Sequence, residues 1–400
     1  MQWSFRRLST YICAQVFRGW ADAIILYLLI AKISKFDDSN SVFLIPTLAL
    51  PPFIHLLLSP FFTRWVDKKK PTARMRLSVF LRLLSAFLLL IALLYIINEN
   101  ISNIVYFFLA YKALDNLDDS LHGPTPFILA KTVNVNLVRF RVSQVLLFRG
   151  ANTFTPIVAV FFLDNLWLAL VIILGMNLLS LAACLFLSHV DNKAPYESAY
   201  KSTHKLQDIV IIIYSVLLFL LNATFANTAA ALLFSQIKNS SKVPILNSVY
   251  FLGFVVGSVI LILFPKLISD NVVGLRNNLR AISFVLFGVG AIYACLKFLP
   301  MTEALILLLF SGFLYAVNLH LVTTQLPSLL EIDHIYSSLN YGRISGGMGS
   351  AVSGLWVGWF ANSQYGGFAL LSVMGFLSLC VAMVVFVTSV VLKKQPGHRF

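Results

Sequence analysis

Lys112, Asp115, Asp118, Asp119 and His122 interrupt an otherwise apolar run between Ile104 and Lys131. On a helix turning about 100° per residue, Lys112, Asp115, Asn116, Asp119 and His122 share an arc of roughly 120°, with Asp118 about 40° past its edge. Carboxylates beside an ammonium group and an imidazole can take up and pass on protons. In water such a cluster is an ordinary solvated face. Inside a bilayer each ionised group is costly and usually marks a substrate or proton pathway. The meaning of these residues therefore depends on the medium around them.

Hydrophobic residues make up 59% of the 400 and charged residues 12%, well below the charged share of about a quarter in soluble domains. Twelve apolar runs approach the ~20 residues that cross the hydrocarbon core. They fall at roughly 10–31, 42–62, 77–97, 104–128, 141–163, 165–188, 208–234, 245–264, 281–299, 303–325, 342–361 and 367–391. The formal net charge is +14, from 30 Lys+Arg against 16 Asp+Glu. Four of those 30 (Arg18, Arg82, Lys112, Arg149) lie inside spans, and five (Lys32, Lys35, Lys238, Lys242, Lys297) lie on one side. The remaining 21 lie on the other side, which the positive-inside rule makes cytoplasmic, with both termini there. The basic excess thus reports orientation and not a nucleic-acid partner. Arg6-Arg7 ahead of an apolar stretch resembles an export signal, but Arg18 and Asp22 interrupt it and no A-x-A-like site follows. The segment reads as a retained first helix. Cys13, Cys184, Cys295 and Cys380 fall in separate spans without metal-ligand spacing and read as buried structural thiols.

The longest polar connection, 189–207, divides the spans six and six: an N-terminal bundle at 1–188 and a C-terminal bundle with a short tail at 208–400. Asp67 closes span 2 and Asp270 closes span 8, at an offset of 203 residues. Arg141 opens span 5 and Arg343 opens span 11, at an offset of 202. Two matches with nearly one offset at equivalent span ends point to an internal repeat. The same shift lays 104–128 on 306–330, most of the plainly apolar span 10. The charged segment is therefore expected to be a transmembrane helix, the fourth.

Twelve helices in two parallel six-helix halves resemble the major facilitator superfamily of secondary transporters. Between spans 2 and 3, Thr63-Arg64-Trp65-Val66-Asp67-Lys68-Lys69-Lys70 is similar to that superfamily's Gly-x-x-x-Asp-Arg/Lys-x-Gly-Arg/Lys signature, with Thr63 and Lys70 in place of its glycines. In span 5, Thr155-Pro156, flanked by Ala151 and Ala159, resembles the exporter signature built on Gly-Pro. The resemblance implies an all-α integral membrane fold, two six-helix pseudo-repeat bundles around a central cavity lined by spans 1, 4, 7 and 10. It further implies a gating latch of Asp67, Lys68 and Asp270 with Arg141 and Arg343. Gly342, Gly346, Ser350, Gly354 and Gly358 recur at every fourth residue of span 11. Such a ridge of small residues permits close helix approach, and in this fold would let helix 11 rock against a helix of the other half.

The candidate proton-coupling and cavity residues are Arg18, Asp22, Lys112, Asp115, Asp119, His122 and Arg149. Arg18 and Asp22 lie one turn apart and are expected to pair. Arg149 lies about 12 Å into span 5, and Arg82 is expected to snorkel to the cytoplasmic surface. Asp115 and Asp119 are expected to titrate against Lys112, with Asp118 structural. The second half holds no deep charge and offers Asn222, Asn227, Asn318, Thr324 and Gln325 as a softer substrate wall. The expected function is proton-coupled secondary transport of a small organic molecule by alternating access. It leans to efflux, as by an antiporter, of an anionic or zwitterionic metabolite, siderophore or drug. An uptake permease, or a non-transporting sensor or scaffold, is the alternative. No H-E-x-x-H, G-x-S-x-G or G-x-x-x-x-G-K-[ST] motif occurs, which argues against an enzyme or an ATP-driven pump. No cofactor is expected beyond the proton gradient as energy source. The expected partners are the lipid bilayer, the substrate and protons, for a monomer in a bacterial inner membrane.

Overall fold

An apolar run in lipid has no partner for its backbone but itself, so each span must close its hydrogen bonds as a helix. The computed structural model describes residues 2–35, 43–67, 71–97, 101–122, 137–188, 205–238, 245–264, 275–325, 332–361 and 366–391. Among them all twelve expected spans are helical. In chain order they are α1 (Gln2–Lys35), α2 (Leu44–Asp67), α3 (Pro71–Ile97), α4 (Ile101–His122), α5 (Leu137–Phe162) and α6 (Leu166–Ser188). Then follow α7a (Lys205–Phe225) and α7b (Thr228–Lys238), α8 (Ile245–Leu263), α9 (Leu275–Cys295), α10 (Met301–His320), α11 (Ile332–Ala361) and α12 (Gly366–Val391). A 3₁₀ turn, Leu296–Phe298, extends α9, and a π-helical segment, Leu321–Gln325, extends α10. The protein is an all-α, multi-pass membrane protein.

Among the described residues, seven spans are long and apolar enough to cross a membrane on length and composition alone: α3, α6, the α7 pair, α8, α9, α10 and α12. Shorter apolar stretches remain in α2 (Leu44–Leu58) and α5 (Thr153–Phe162). The charged α4 gains its place by packing: it lies against α2 and α3, with Ile104, Val105, Phe108 and Tyr111 buried in the main core.

Local polar residues break α7. Thr224 and Thr228 donate their hydroxyls to the carbonyls of Leu220 (2.9 Å) and Phe225 (3.0 Å), and Asn227 donates its amide to the Ser350 carbonyl of α11 (3.3 Å). Such side chain–backbone bonds offer the chain an alternative to continuous helix.

Helix α1 packs on α5 and α6, α3 on α4 and α6, and α2 on α4. Later in the chain, α7a packs on α11, α8 on α10, and α9 on α12. The two groups meet where α2 touches α11, α5 touches α8 and α1 touches α7b.

The glycine ridge of α11 serves two neighbours. Gly342 and Gly346 lie against Tyr214 and Asn222 of α7a, whereas Gly354 and Gly358 lie against Leu48 and Ile45 of α2. A step of four residues overshoots one turn by about 40°, so the ridge winds by about 160° from Gly342 to Gly358. The surface expected to face one helix of the other half is confined to its Gly354–Gly358 end. There Gly354 sits against the Leu48 carbonyl, which receives no helical N–H because Pro52 has none to give. The four cysteines are unpaired, and Cys184 alone is buried; Cys13, Cys295 and Cys380 lie exposed on their helices.

Close helix contacts make a specific stability prediction. A Cβ at Gly312 would stand 2.2 Å from the Tyr250 backbone oxygen, whereas one at Gly175 meets nothing within 4 Å. Gly312→Ala is expected to destabilise by about 1–3 kcal/mol through forced separation of α8 and α10, and Gly175→Ala to be neutral or slightly stabilising. Thermal melts of the purified variants decide this; equal midpoints would contradict the packing.

Candidate functional site

Residues three or four apart share a helix face, and four helices turn such faces toward one another. Arg18 and Asp22 come from α1, Ser78 and Arg82 from α3, Lys112, Asp115 and Asp118 from α4, and Ser180 from α6. At the centre Asp118, 1% exposed, receives Arg18 Nη1 at 2.6 Å and Arg82 Nε at 2.9 Å on Oδ2. Its Oδ1 accepts from the Ser78 hydroxyl. Arg82 also donates to the Ser180 hydroxyl, which in turn donates to the Ala14 carbonyl at 2.7 Å. Arg18 reaches Asp115 twice, through Nε to Oδ1 and through Nη2 to the backbone carbonyl. Both carboxylate oxygens of Asp118 are thus engaged, and one anion ties three helices together.

A second layer is less enclosed. Lys112 Nζ bridges Asp22 Oδ2 at 2.8 Å and Asp115 Oδ2 at 3.3 Å, with Lys112 and Asp22 side chains 15% and 13% exposed. Lys112 also lies over the Tyr111 ring, 5.5 Å from its centroid. The other oxygen of Asp22, Oδ1, is buried and accepts no hydrogen bond, although Asp115 and Arg18 stand close by. Three cations and three carboxylates make the described cluster neutral.

The structure brings Arg18, Asp22, Lys112 and Asp115 together; Lys112 faces Asp115 as the sequence suggests, but Arg18 and Asp22 find their partners on α4. Arg18 turns across to α4, and Asp22 pairs with Lys112 instead of with its own helix neighbour. The two α1 side chains find opposite charges on α4, where each can be neutralised within a buried site. Arg82 does not snorkel: its guanidinium turns inward and is 5% exposed, its Nε held by Asp118 and its Nη1 by Ser180 while Nη2 stays buried without a hydrogen bond. The side chains of Asp119, His122 and Arg149, carried by α4 and α5, lie outside the described residues. So does the latch: Lys68 and Asp270 entirely, and the side chains of Asp67, Arg141 and Arg343.

In the second half, the wall residues divide. Asn222 donates to the Leu218 carbonyl one turn back (2.7 Å) and accepts weakly from Ser350 (3.5 Å). Asn227 holds the α11 backbone. Both fasten α7 to itself or to α11. Asn318 is 1% exposed and its amide nitrogen and oxygen make no hydrogen bond. Thr324 and Gln325 fall in the π-helical segment, their side chains outside the described residues. Sequence reasoning missed Ser78 and Ser180, which no composition signal distinguishes, and misplaced Arg82, whose position inside an apolar span was signal enough. Asn116 acts in a way sequence did not suggest, donating to the Pro51 carbonyl of α2 at 3.0 Å.

No family model and no curated protein sequence matches the chain. Solved structures do match over nearly its whole length. The nucleoside transporter NupG aligns at 13% identity and a TM-score of 0.62, covering 98% of this chain and 100% of its own. The human organic anion transporter MFSD10 (TETRAN) aligns at 11% and 0.64, covering 96% and 99%. A bacterial homologue of the human drug peptide transporters PepT1 and PepT2 aligns at 11% and 0.60, covering 97% of each. The chain shares the fold of these transporter structures, the fold that its resemblance to the major facilitator superfamily implied.

Removing one partner of a buried ion pair leaves the others uncompensated, at a cost of about 3–5 kcal/mol. Asp118→Leu, which leaves Arg82 without a carboxylate and takes one of the two from Arg18, is expected to melt far below wild type. The double variant Asp118→Leu/Arg82→Leu is expected to recover part of the loss. Strict additivity of the two single losses would show that Asp118 and Arg82 are not coupled.

Proposed function

We propose that the chain is a secondary active transporter in which two six-helix halves, 1–188 and 208–400, move about the central site, driven by a proton that binds at Asp22. The observation that carries this reading is the donor-free Asp22 Oδ1 beside Asp115. That atom is where an added proton would gain a hydrogen-bond acceptor in the neighbouring carboxylate. Protonation would remove the negative charge holding Lys112 to α1, while Asp115 keeps its Arg18 contacts. The charge facing Asp22 comes from Lys112, Asp115 and Arg18. Because α1 also packs on α7b, loosening the α1–α4 bridge would bias the arrangement of one half against the other, the differential interaction that coupling requires.

The substrate class that fits is a small anionic or zwitterionic organic molecule. Once Asp22 is neutral, Lys112 has lost one of its two carboxylates, and a substrate carboxylate matches the position. Proton and anion then bind together, which favours inward symport over the export suggested by Thr155-Pro156. In α5 the Thr155 hydroxyl turns back to the Ala151 carbonyl (2.6 Å) beside Pro156, a local helix device that fixes no direction. Of the three solved structures, one is named as a nucleoside transporter, one as an organic anion transporter and one as a homologue of drug peptide transporters, so the shared fold does not choose among substrates. Placing the termini in the cytoplasm rests on the Lys+Arg bias, and the latch of Asp67 with Arg141 and Arg343 on the motif between spans 2 and 3.

A ligand found by thermal-shift screening supplies the test. In proteoliposomes, an inward proton gradient is expected to accelerate its uptake about tenfold or more, and Asp22→Asn to abolish that dependence while exchange at equilibrium persists. Uptake indifferent to the gradient, or gradient-driven uptake preserved in Asp22→Asn, would contradict the coupling.

A further inference from the structure

The second half holds a cluster of rings and orphan polar groups that the charge network does not use. Tyr315 of α10 lies at its centre, with ring centroids 6.2 Å from Tyr250, 5.7 Å from Phe225 and 6.0 Å from Phe254. Phe225 lies 6.0 Å from Tyr293 at a steep angle. These rings come from the α7 break, α8, α9 and α10, and every one of them is under 9% exposed. Asn318 is one turn beyond Tyr315 on the same helix, a spacing that sets both side chains on one face.

Four polar atoms of this cluster are buried without a hydrogen bond: the Tyr250 and Tyr293 hydroxyls and both ends of the Asn318 amide. The Tyr293 hydroxyl has those of Tyr250, Thr228 and Ser311 close by but completes no bond of good geometry with them. A buried polar group left unpaired costs about 1–3 kcal/mol, and helices in lipid ordinarily avoid that cost. Asn222 shows how, by folding its amide back onto the Leu218 carbonyl. Asn318 has the same option toward Leu314 and does not take it.

We propose that these residues form a recognition subsite for a planar heteroaromatic ring with an amide-like edge, the part of the substrate remote from its charge. A carboxamide presents one donor and one acceptor side by side, which a lactam N–H and C=O meet as a matched pair. The tyrosine and phenylalanine rings supply offset and edge-on faces suited to a flat ring. No ionisable acid or base takes part, so the bound portion is uncharged. Tyr27 of α1 stands near Tyr250, five residues and about 7.5 Å along the helix from Asp22. One small molecule can thus span both places, its ring among the tyrosines and its carboxylate at Lys112. The inference deepens the transport reading and rests on it for the identity of the ligand as substrate.

Three neutral probes separate the contributions: 2-pyridone has the flat ring and the full edge, N-methyl-2-pyridone lacks the N–H, and 2-piperidone keeps the edge on a puckered ring. Binding to the full chain in lipid nanodiscs is read by saturation-transfer NMR titration. Wild type is expected to bind 2-pyridone about tenfold or more tightly than either analogue, since N-methyl-2-pyridone lacks the N–H the site is built to bond and 2-piperidone lacks the flat face the rings stack on. Asn318→Leu is expected to erase the preference over N-methyl-2-pyridone, and Tyr315→Leu the preference over 2-piperidone, both with the protein still melting cooperatively. Equal binding of the three probes, or an unchanged preference in Asn318→Leu, would overturn the subsite. No ion gradient enters this measurement, so its failure leaves proton coupling to the separate flux test.

Discussion

One carboxylate that cannot be left alone organises the first half of this protein. Asp118 is buried where desolvating a charge is costly, and its pairing with Arg18 and Arg82 makes that burial tolerable. The requirement is strict on geometry: α1, α3 and α4 must present their polar faces at one depth, and Ser180 brings α6 to the same point through Arg82. Apolar packing in a bilayer offers little to choose between helix registers, because lipid is as apolar as leucine. The ionic centre supplies the choice.

Around that fixed centre, the parts that can change are those with a group left over. Lys112 is shared between two carboxylates, and Asp22 has an oxygen with no donor. The same α4 face reaches α2 through the bond from Asn116 to the Pro51 carbonyl. Pro51 and Pro52 weaken the helix ladder of α2 where Gly354 of α11 presses against it. A continuous set of contacts therefore runs from the charge cluster to the contact between the two halves, without a long-range field.

Much of the fold was legible in the sequence, because span length and hydropathy are set by the bilayer and not by tertiary detail. All twelve spans were found, and the offset between Asp67 and Asp270 placed the charged run in α4 despite its composition. The pairing inside the site was less legible. One-helix geometry can say that Arg18 and Asp22 share a face, but not that each finds a better partner on α4. Arg82 was misread for the same reason: snorkelling is the default for an isolated arginine, and its partners lie 36 and 98 residues away. The glycine ridge was assigned to one neighbour, whereas the 3.6-residue turn winds it past two. Of the ring cluster the sequence marked only polar members, Asn318 among them, since the rings come from four separate spans of an aromatic-rich chain.

The account turns on Asp22, and not Asp118, being the carboxylate that exchanges a proton. Infrared difference spectra of the purified protein, recorded between buffer held above the ordinary carboxylate range and alkaline buffer, report that event as a protonated-carboxyl band. The band is predicted in wild type and in Ser78→Ala, and is predicted to vanish in Asp22→Asn. An undiminished band in Asp22→Asn would place the proton elsewhere and contradict the account.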